Sequence, residues 1–342
     1  MRKRGLAIIG LALIVSVSLA ALVACQPVAE TSTQTPESMT LDSLQRVDDF
    51  PLYVMTYYGD YGFSEVLDNQ GQASVSQAES EDWACTTFAA LNADGDAILG
   101  RNFDWEEHPA LLLFTDPPDG FASVSLVDMA YMGLGHYEPT GLMRERLLEA
   151  PFLPFDGMNE AGLAIGMMAI PHSEGGQDPE KVNLSSLEVI RLWLDYAANV
   201  DEAINLAQDI NVSFEGGPPV HYLIADSSGE SAVVEFLDNQ VIVTQSDQPW
   251  QVATNFVVVE VPEGRRILSR ERYRVAYETL ERADGLATDD EALALLDAVS
   301  RSGPSSPTIW SVVYNMTTGD IQVAMGRQYH TVHGFSLEML AQ

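Results

Sequence analysis

The segment CTTFAALNADGDAILGRNFDW, residues 85–105, decides the fold of this chain. It consists of two apolar runs around Asp94-Gly95, and an Asp-Gly pair in that setting predicts a β-hairpin. A two-residue loop at this pair places Cys85 opposite Asp104. Strict alternation then puts Arg101 on the other face, so we expect a bulge or strand end between Arg101 and Asp104. That break gathers a thiol, a guanidinium and a carboxylate at one end of the hairpin.

Apolar patterns predict many strands and fewer helices after the hairpin. The predicted strands cover residues 110–115, 122–127, 163–170, 220–225, 232–237, 241–244, 308–314 and 321–325. The predicted helices cover residues 185–198, 201–210, 265–283 and 289–300. Ser185 and Glu188 form a capping box for the first helix, and Asp201 caps the second. Many strands with helices grouped apart predict an α+β layered domain.

Composition restricts the possible partners. The chain has 342 residues, 46% of them hydrophobic, which is enough for one large core or two modest ones. Fifty acidic residues against 17 basic ones give a formal net charge of −33. Phosphate binding requires a basic surface, so this balance argues against a nucleic-acid partner.

The first 25 residues have the pattern of a targeting segment. Arg2-Lys3-Arg4 precedes an apolar run, and the sequence Leu22-Val23-Ala24-Cys25 follows. This pattern resembles a bacterial lipoprotein signal, which implies a lipid on Cys25 and a position on the outer face of the bacterial cell membrane. An uncleaved membrane anchor is the alternative. Residues 26–46, rich in Ser, Thr, Pro and Gln towards their start, are interpreted as a flexible tether.

The cysteine count directs attention to Cys85. The sequence contains two cysteines, Cys25 and Cys85, and a lipid on Cys25 leaves no internal disulfide. Most free cysteines are small buried hydrophobes. A lone thiol in an oxidising compartment is nevertheless a liability unless it has a function. We therefore treat Cys85 as a candidate nucleophile.

Five motifs occur in an order that resembles cysteine N-terminal-nucleophile (Ntn) amidohydrolases. They are CTTF at 85–88, GRNFDW at 100–105, DGMNEAGL at 156–163, ATNF at 253–256 and TIWSVVY at 308–314. The most similar groups are the linear-amide hydrolases and acyltransferases related to choloylglycine hydrolase, penicillin V acylase and isopenicillin N acyltransferase, with acid ceramidase more distant. The resemblance covers nearly all of residues 50–330, and the spacing of Cys85, Arg101 and Asp104 is its most specific part.

The resemblance implies a four-layer αββα sandwich and a precursor that cuts itself between Ala84 and Cys85. Residues 47–84 then form a small chain that packs on the core, and residues 85–342 form the catalytic domain. The cut exposes an α-amine with a pKa of roughly 7.7–8.0 beside a thiol whose ordinary pKa is roughly 8.5. This amine is a base for the thiol, so no histidine is needed.

The resemblance also implies roles for individual residues. Arg101 stabilises the thiolate, Asp104 hydrogen-bonds the α-amine, and Asn255 donates its side-chain N–H to the oxyanion. Ala169 stands where bile-salt hydrolases carry asparagine and penicillin V acylases tyrosine, and its backbone N–H is a candidate second oxyanion donor. Arg272 is the best match to a late arginine of the family, with Arg270 and Arg274 as open alternatives.

Several of these residues also have simpler explanations. Arg101 and Asp104 form an ordinary ion pair in one alternative, and Asn255 caps a strand end. Asn159 is interpreted as a turn residue. His330 and His333, without a third ligand, are interpreted as surface histidines. A papain-like pairing of His221 with Cys85 is disfavoured, because no cysteine-protease signature surrounds that cysteine.

The leading functional hypothesis is a hydrolase of non-peptide linear amides that acts through an acyl-thioester on Cys85. An acyltransferase that passes the acyl group to an amine is the first alternative. A catalytically silent binding lipoprotein is the second. The expected partners are a small N-acyl amide substrate and, through lipid on Cys25, the membrane; no cofactor or metal is expected, and the oligomeric state is left open.

Overall fold

The computed structural model describes residues 34–69, 84–135, 138–215, 217–262 and 270–340. The predicted signal segment with Cys25 and the first part of the predicted tether lie outside these ranges. From Thr35 onward the described residues form one unit. In these ranges, no helix has both the length and the apolar character needed to cross a membrane.

The larger sheet has nine strands, in the order β1-β2-β5-β6-β7-β8-β11-β12-β13. Its strands are β1 (Gln45–Asp48), β2 (Leu52–Thr56), β5 (Ala110–Thr115), β6 (Ser123–Asp128), β7 (Asp156–Asn159), β8 (Ala164–Ala169), β11 (Val220–Ala225), β12 (Ser231–Leu237) and β13 (Gln240–Gln245). Its pairs are antiparallel except β2 with β5, which is parallel.

The smaller sheet has six antiparallel strands, in the order β14-β3-β4-β15-β16-β17. Its strands are β3 (Ala84–Leu91), β4 (Ala97–Asp104), β14 (Gln251–Thr254), β15 (Thr308–Asn315), β16 (Asp320–Met325) and β17 (Val332–Ser336). A separate parallel pair joins β9 (Val182–Ser185) and β10 (Ile210–Ser213).

Helices cover the outer faces of both sheets. The α-helices are α1 (Pro36–Asp42), α2 (Phe63–Asp68), α3 (Ser186–Tyr196), α4 (Val200–Gln208), α5 (Glu271–Arg282) and α6 (Asp289–Ala298), and 3₁₀ segments occupy Met129–Met132 and Gly141–Phe152. Helix α3 packs on β7 and α4 on β11, whereas α5 packs on β14 and α6 on β4 and β15. The predicted α+β class with a four-layer αββα sandwich is confirmed.

The core lies between the two sheets, where β3 packs against β8. Both strands are almost entirely buried on both faces, so neither alternates between apolar and exposed polar residues, although β3 includes the buried Thr86 and Thr87. Gly166 allows the close approach, since a Cβ there would lie 2.8 Å from Thr87 Cγ2 and 3.1 Å from Arg101 Cδ. The two sheets therefore meet most closely beside the predicted nucleophile.

The hairpin forms as predicted, but its register differs by one residue. The loop has three residues, 93–95, and Gly95 adopts φ +91°, which suits a type I turn followed by a left-handed residue. Asn92 Oδ1 stabilises this loop by accepting the Asp94 and Asp96 N–H groups at 2.9 and 2.8 Å. The prediction that Cys85 faces Asp104 is wrong: Cys85 pairs with Phe103.

The predicted break in β4 is also wrong. Thr87 pairs with Arg101 in a regular ladder, so Cys85 and Arg101 already share one face of the sheet. The irregularity lies on the neighbouring strand β15, between Thr308 and Trp310. Asp104 is on the opposite face of β4 from Arg101, towards the helical layer.

Three local predictions change in the structure. The Ser185–Glu188 capping box is confirmed, but the second helix is capped by Asn199 rather than Asp201, because the Asn199 side chain accepts the Glu202 N–H. The helix predicted from residue 265 is observed from Glu271, and residues 263–269 lie outside the described ranges. The later part of the predicted tether contains regular structure, since α1 and the first two residues of β1 lie within it.

The segment before Cys85 is part of the larger sheet. Strand β2 lies between β1 and β5, and its Leu52 and Met55 are fully buried. Tyr61 donates its hydroxyl to Asp195 Oδ1 at 2.6 Å, and the Arg191 guanidinium lies 5.4 Å from the centre of the Tyr61 ring. These contacts join residues on both sides of the Ala84–Cys85 bond in one core.

Candidate active site

Cys85 lies near the start of β3 and is fully buried. Its backbone N–H donates to Asn255 Oδ1 at 2.8 Å, and Arg101 Nη2 lies 3.9 Å from its sulfur. Its carbonyl oxygen accepts Arg272 Nη1 at 2.5 Å. The residue is therefore contacted at its sulfur, its peptide nitrogen and its carbonyl by three of the residues that the sequence singled out.

A buried ion pair holds Arg101 beside the sulfur. Its Nη1 pairs with Asp156, and its Nη2 donates to the Met167 carbonyl at 2.9 Å. Asp156 also accepts Trp310 Nε1 at 3.0 Å and the Tyr314 hydroxyl at 2.6 Å. Two isolated charges in this interior would be costly, so the network is what allows a guanidinium to sit between the sheets.

The electrostatics of the thiol reflect two opposing effects. Burial raises the pKa of the Cys85 thiol, while the Arg101 guanidinium acts to lower it. Burial alone would lower the pKa of Arg101, but Asp156 and Cys85 raise it, so its positive charge is secure. The uncut chain thus holds a neutral thiol next to a permanent cation. The thiol becomes a nucleophile only when it loses its proton, so it needs a base close to the sulfur.

Asp104 lies on the helix side of β4, away from the sulfur's face. Thr308 Oγ1 donates to its Oδ1 at 2.6 Å, and Arg272 Nη1 lies 3.4 Å from its Oδ2. Burial raises the pKa of Asp104 to about 6, although Arg272 and Thr308 favour the charged form. Its register partner is Ala84, which places it beside the peptide bond expected to be cut.

The raised pKa of Asp104 predicts a pH-dependent stability difference. A buried carboxyl that binds its proton more tightly when folded stabilises the protein below its unfolded pKa of roughly 3.9, and this contribution is lost as pH rises through about 6. Asparagine does not titrate. As pH rises from about 4 to about 6, the unfolding free energy of Asp104→Asn should therefore increase by about 1–3 kcal/mol relative to that of the protein with Asp104. Urea unfolding from pH 4 to pH 7, with both proteins carrying Cys85→Ala, measures this difference. A difference independent of pH would contradict the raised pKa.

Arg272, in the first turn of α5, connects the parts of the site. In addition to the Cys85 carbonyl, it donates to Thr86 Oγ1 and Asn255 Oδ1, both at 2.8 Å. Of the three arginines considered from sequence, it is the one that contacts Cys85. Arg274 pairs with Glu278 at 3.0 Å, and Arg270 lies over the Phe256 ring at 5.6 Å.

Asn255 follows the last residue of β14 and bridges to Ala169. Its Oδ1 accepts two hydrogen bonds, and its Nδ2 donates to the Ala169 carbonyl at 2.8 Å. A side-chain amide has two N–H groups, so one remains beyond the bond to Ala169. Asn255 and Ala169 are adjacent, as an oxyanion site requires, and their roles there stay predictions.

A buried hydrogen-bond network of His221 and Glu235 fixes the backbone on both sides of Asn255. His221 contacts Glu235 through Nδ1 at 3.0 Å and the Thr254 carbonyl through Nε2 at 2.9 Å. Glu235 also accepts the Val258 and Val259 N–H groups at 2.6 and 3.0 Å. Glu235 and Thr254 thus occupy both ring nitrogens of His221. Neither nitrogen contacts Cys85, as a papain-like pair would require.

Asn159 and His333 make contacts away from Cys85. Asn159 donates to the Leu194 and Ala197 carbonyls at 3.1 and 2.8 Å and accepts the Leu163 N–H, so it supports a turn. His333 contacts Asp48 Oδ2 at 2.5 Å. Within the described ranges, no group of three His, Cys, Asp or Glu side chains is placed to hold a metal ion.

Two residues that complete the site were not predicted from the sequence. Asp156 pairs with Arg101, and Thr308 binds Asp104. Each stands in a motif that was noted, but no role was assigned to either. The available signal for Asp156 was a carboxylate within the apolar run 152–158, where a buried charge requires a partner.

Comparisons with known proteins identify the family of the chain. The model of the family described as linear amide C–N hydrolases, choloylglycine hydrolase family, matches residues 85–256. Penicillin V acylase of Pectobacterium atrosepticum is 32% identical over 185 residues, which are 50% of this chain and 49% of that protein. An uncharacterised protein of Paramecium bursaria Chlorella virus 1 is 35% identical over 179 residues, which are 50% of this chain and 55% of that protein. The chain thus spans about half the length of these curated relatives.

Solved structures share the fold. A mutant of conjugated bile acid hydrolase from Clostridium perfringens superposes with a TM-score of 0.56 at 15% identity, covering 74% of this chain and 92% of that one. Penicillin V acylase from Agrobacterium tumefaciens gives a TM-score of 0.52 at 18% identity, covering 74% and 86%. At these identities the likeness concerns the fold.

Proposed function

Because the chain belongs to the choloylglycine hydrolase family of linear amide C–N hydrolases, we propose that it hydrolyses non-peptide N-acyl amides with Cys85 as nucleophile. The observation that carries the proposal is the set of contacts around Cys85. Its peptide nitrogen lies 2.8 Å from Asn255 Oδ1, and its sulfur lies 3.9 Å from a guanidinium. Breaking the Ala84–Cys85 bond turns that nitrogen into an amine within the site.

Maturation proceeds in two steps. The Cys85 thiol attacks the Ala84 carbonyl, and the acyl group moves from nitrogen to sulfur, which leaves a free α-amine on Cys85. Water then hydrolyses the thioester and releases the Ala84 carboxylate. The free amine has a pKa of roughly 7.7–8.0, so part of it is unprotonated near neutral pH and accepts the thiol proton. In this proposal Asp104 stabilises the amine in its charged form, and its pairing with Ala84 in the sheet supports that role.

Turnover repeats the same chemistry on a substrate. The Cys85 thiolate, held by Arg101, attacks the amide carbonyl, and the developing oxyanion accepts an N–H from Asn255 and from the Ala169 backbone. The α-amine returns its proton to the leaving amine as the carbon–nitrogen bond breaks. Water then attacks the acyl-thioester, and the acid is released. Arg272 fixes the position of Asn255 relative to the Cys85 backbone, because it donates hydrogen bonds to both.

A panel of N-acyl amides tests the function. Purified wild type should release amine from at least one member, and Asn255→Ala should lower kcat by about 10²–10³-fold, because its N–H acts mainly on the charged transition state. The exposed Gln248→Ala is the matched control and should turn over normally. Intact mass verifies that each variant is cut, and thermal melting verifies its fold. Absence of turnover in a fully cut wild type would contradict the proposal, while transfer to an added amine instead of water would identify an acyltransferase.

We also propose that the segment before Cys85 stays bound after the cut and, through lipid on Cys25, tethers the enzyme to the outer face of the cell membrane. The support is the position of β2 inside the larger sheet, with Leu52, Met55 and Phe63 buried. Burial of such side chains contributes roughly 1.5–3 kcal/mol each. The two fragments should therefore elute together in native gel filtration and separate only under denaturing conditions.

Matched substitutions sharpen this test. Met55→Asp places a charge in the core and should release the fragment. Tyr58→Asp places the same charge at an exposed position, so the fragment should stay bound. Separate elution of the wild-type fragments would refute the tethering idea without affecting the proposed chemistry.

A further inference from the structure

A pocket of about 560 Å³ opens beside the proposed catalytic residues. It lies between the first turn of α5 and the C-terminal end of α6. Arg270, Arg272 and Arg301 line it, and Glu271 is the one carboxylate among its described lining residues. A cluster of three guanidinium groups is unexpected in a chain with 50 acidic and 17 basic residues.

In the part of the chain that the structure describes, Arg270 and Arg301 form no direct ion pair with a carboxylate, and only the longer-range attraction between Arg301 and Asp104 acts on either charge. Arg301 Nη2 donates to the Ser305 carbonyl at 3.3 Å, and Arg270 contacts the Phe256 ring. The neighbouring Arg274, outside the pocket, pairs with Glu278 in the ordinary way. An excess of acidic residues makes such pairing easy, so its absence at Arg270 and Arg301 indicates that this charge serves an external anion.

The backbone on the α5 side of the pocket favours negative charge, whereas the C-terminal end of α6 on the other side does not. Helix α5 has 12 residues, and its N-cap, Arg270, provides no side-chain hydrogen bond, so the positive end of the helix dipole faces this region. At the end of α6, the Asp297 carbonyl is already satisfied by the N–H and the hydroxyl of Ser300. Val275 adds apolar surface. The pocket thus suits an anionic group attached to an apolar body.

The pocket is joined to the reacting atoms on two sides. Asn255 and Arg272 line it and also contact the Cys85 backbone. The backbone N–H of Arg301 donates to Thr308 Oγ1 at 2.9 Å, and the Thr308 hydroxyl in turn donates to Asp104. A ligand group in the pocket would therefore lie only a short distance from an amide held at Cys85.

We propose that this pocket is a carboxylate subsite of the substrate, with Arg301 and Arg270 as specificity-determining residues. A guanidinium presents paired N–H donors that match the two oxygens of a carboxylate. The inference rests on the proposed amidase function only in assigning the carboxylate to the substrate; the anion site itself is a property of the folded protein.

Direct binding tests the subsite independently of turnover. Mature protein is titrated calorimetrically with 3-phenylpropionate and with its neutral analogue 3-phenyl-1-propanol, which has no amide bond to be cleaved. The carboxylate should bind more tightly, and the double variant Arg270→Gln/Arg301→Gln should weaken its binding by about 10- to 100-fold without changing that of the alcohol. Arg274→Gln is the matched control on the same helix and should bind as wild type. Equal binding of both probes, or unchanged binding in the double variant, would overturn the proposal.

Kinetics then separate this inference from the proposed function. N-phenylacetylglycine and N-phenylacetylglycinamide differ only in a charge on the amine side, and glutaric acid monoanilide and its carboxamide differ only on the acyl side. In at least one pair the charged member should be preferred, and Arg301→Gln should remove that preference mainly by raising KM. Turnover of neutral amides with no charge preference in either pair would overturn the subsite and leave the amidase standing. If no amide is hydrolysed, the amidase fails and the calorimetric result alone decides the subsite.

Discussion

Cys85→Ala is expected to leave the chain uncut and without turnover, whereas wild type is cut between Ala84 and Cys85. The sulfur is the only nucleophile that the proposed acyl shift uses, and Arg101 Nη2 lies 3.9 Å from it. Denaturing electrophoresis and intact mass of both proteins provide the readout. Cys25→Ser, at the chain's other cysteine, is the control and should be cut as efficiently as wild type. Full-length wild type that still turns over amides would refute the N-terminal-nucleophile mechanism.

Asp156→Ala should produce the largest loss of stability of any single change at the site. It leaves the fully buried Arg101 guanidinium without its carboxylate, and also removes the acceptor for Trp310 and Tyr314. Breaking one side of a buried ion pair costs about 3–5 kcal/mol. Urea unfolding in a Cys85→Ala background, where the chain stays in one piece, measures the change in unfolding free energy.

The control for this prediction is an ion pair at the surface. Glu278→Ala removes the partner of Arg274, whose side chain is 41% exposed, and should cost at most about 1 kcal/mol. If Asp156→Ala unfolds at the same urea concentration as its parent, the buried pair does not support the site as described.

The hairpin shows how far local sequence reasoning reaches. The two apolar runs around Asp94-Gly95 predicted strands at residues 85–92 and 97–103, each within one residue of β3 and β4 at its ends. The register failed by one position, because Asn92 accepts two N–H groups and favours a three-residue loop. That single step moves Arg101 onto the face of Cys85 and Asp104 onto the opposite face.

The partners of the site residues depend on contacts between distant parts of the chain. Arg101 and Asp156 are 55 positions apart, and Arg272 and Cys85 are 187 apart. Periodicity and turn chemistry describe neighbours within a strand or helix, and they carry no information on which strand packs across the sandwich. The arginine pocket likewise requires α5 and α6 to meet, which their separate sequences do not show.

Local sequence accounts for the choice of Cys85, for most strands and helices, and for the layered α+β class, because alternation, caps and turns act over a few residues. Motif order adds the family and the names of the site residues. The packing of the two sheets decides the rest. It sets which charges meet in the dry interior, that Asp104 faces the helices and Arg101 the opposing sheet, and that Asn255 reaches both Cys85 and Ala169. These outcomes depend on close packing and on the cost of an unpaired buried charge, which arise only when distant segments meet.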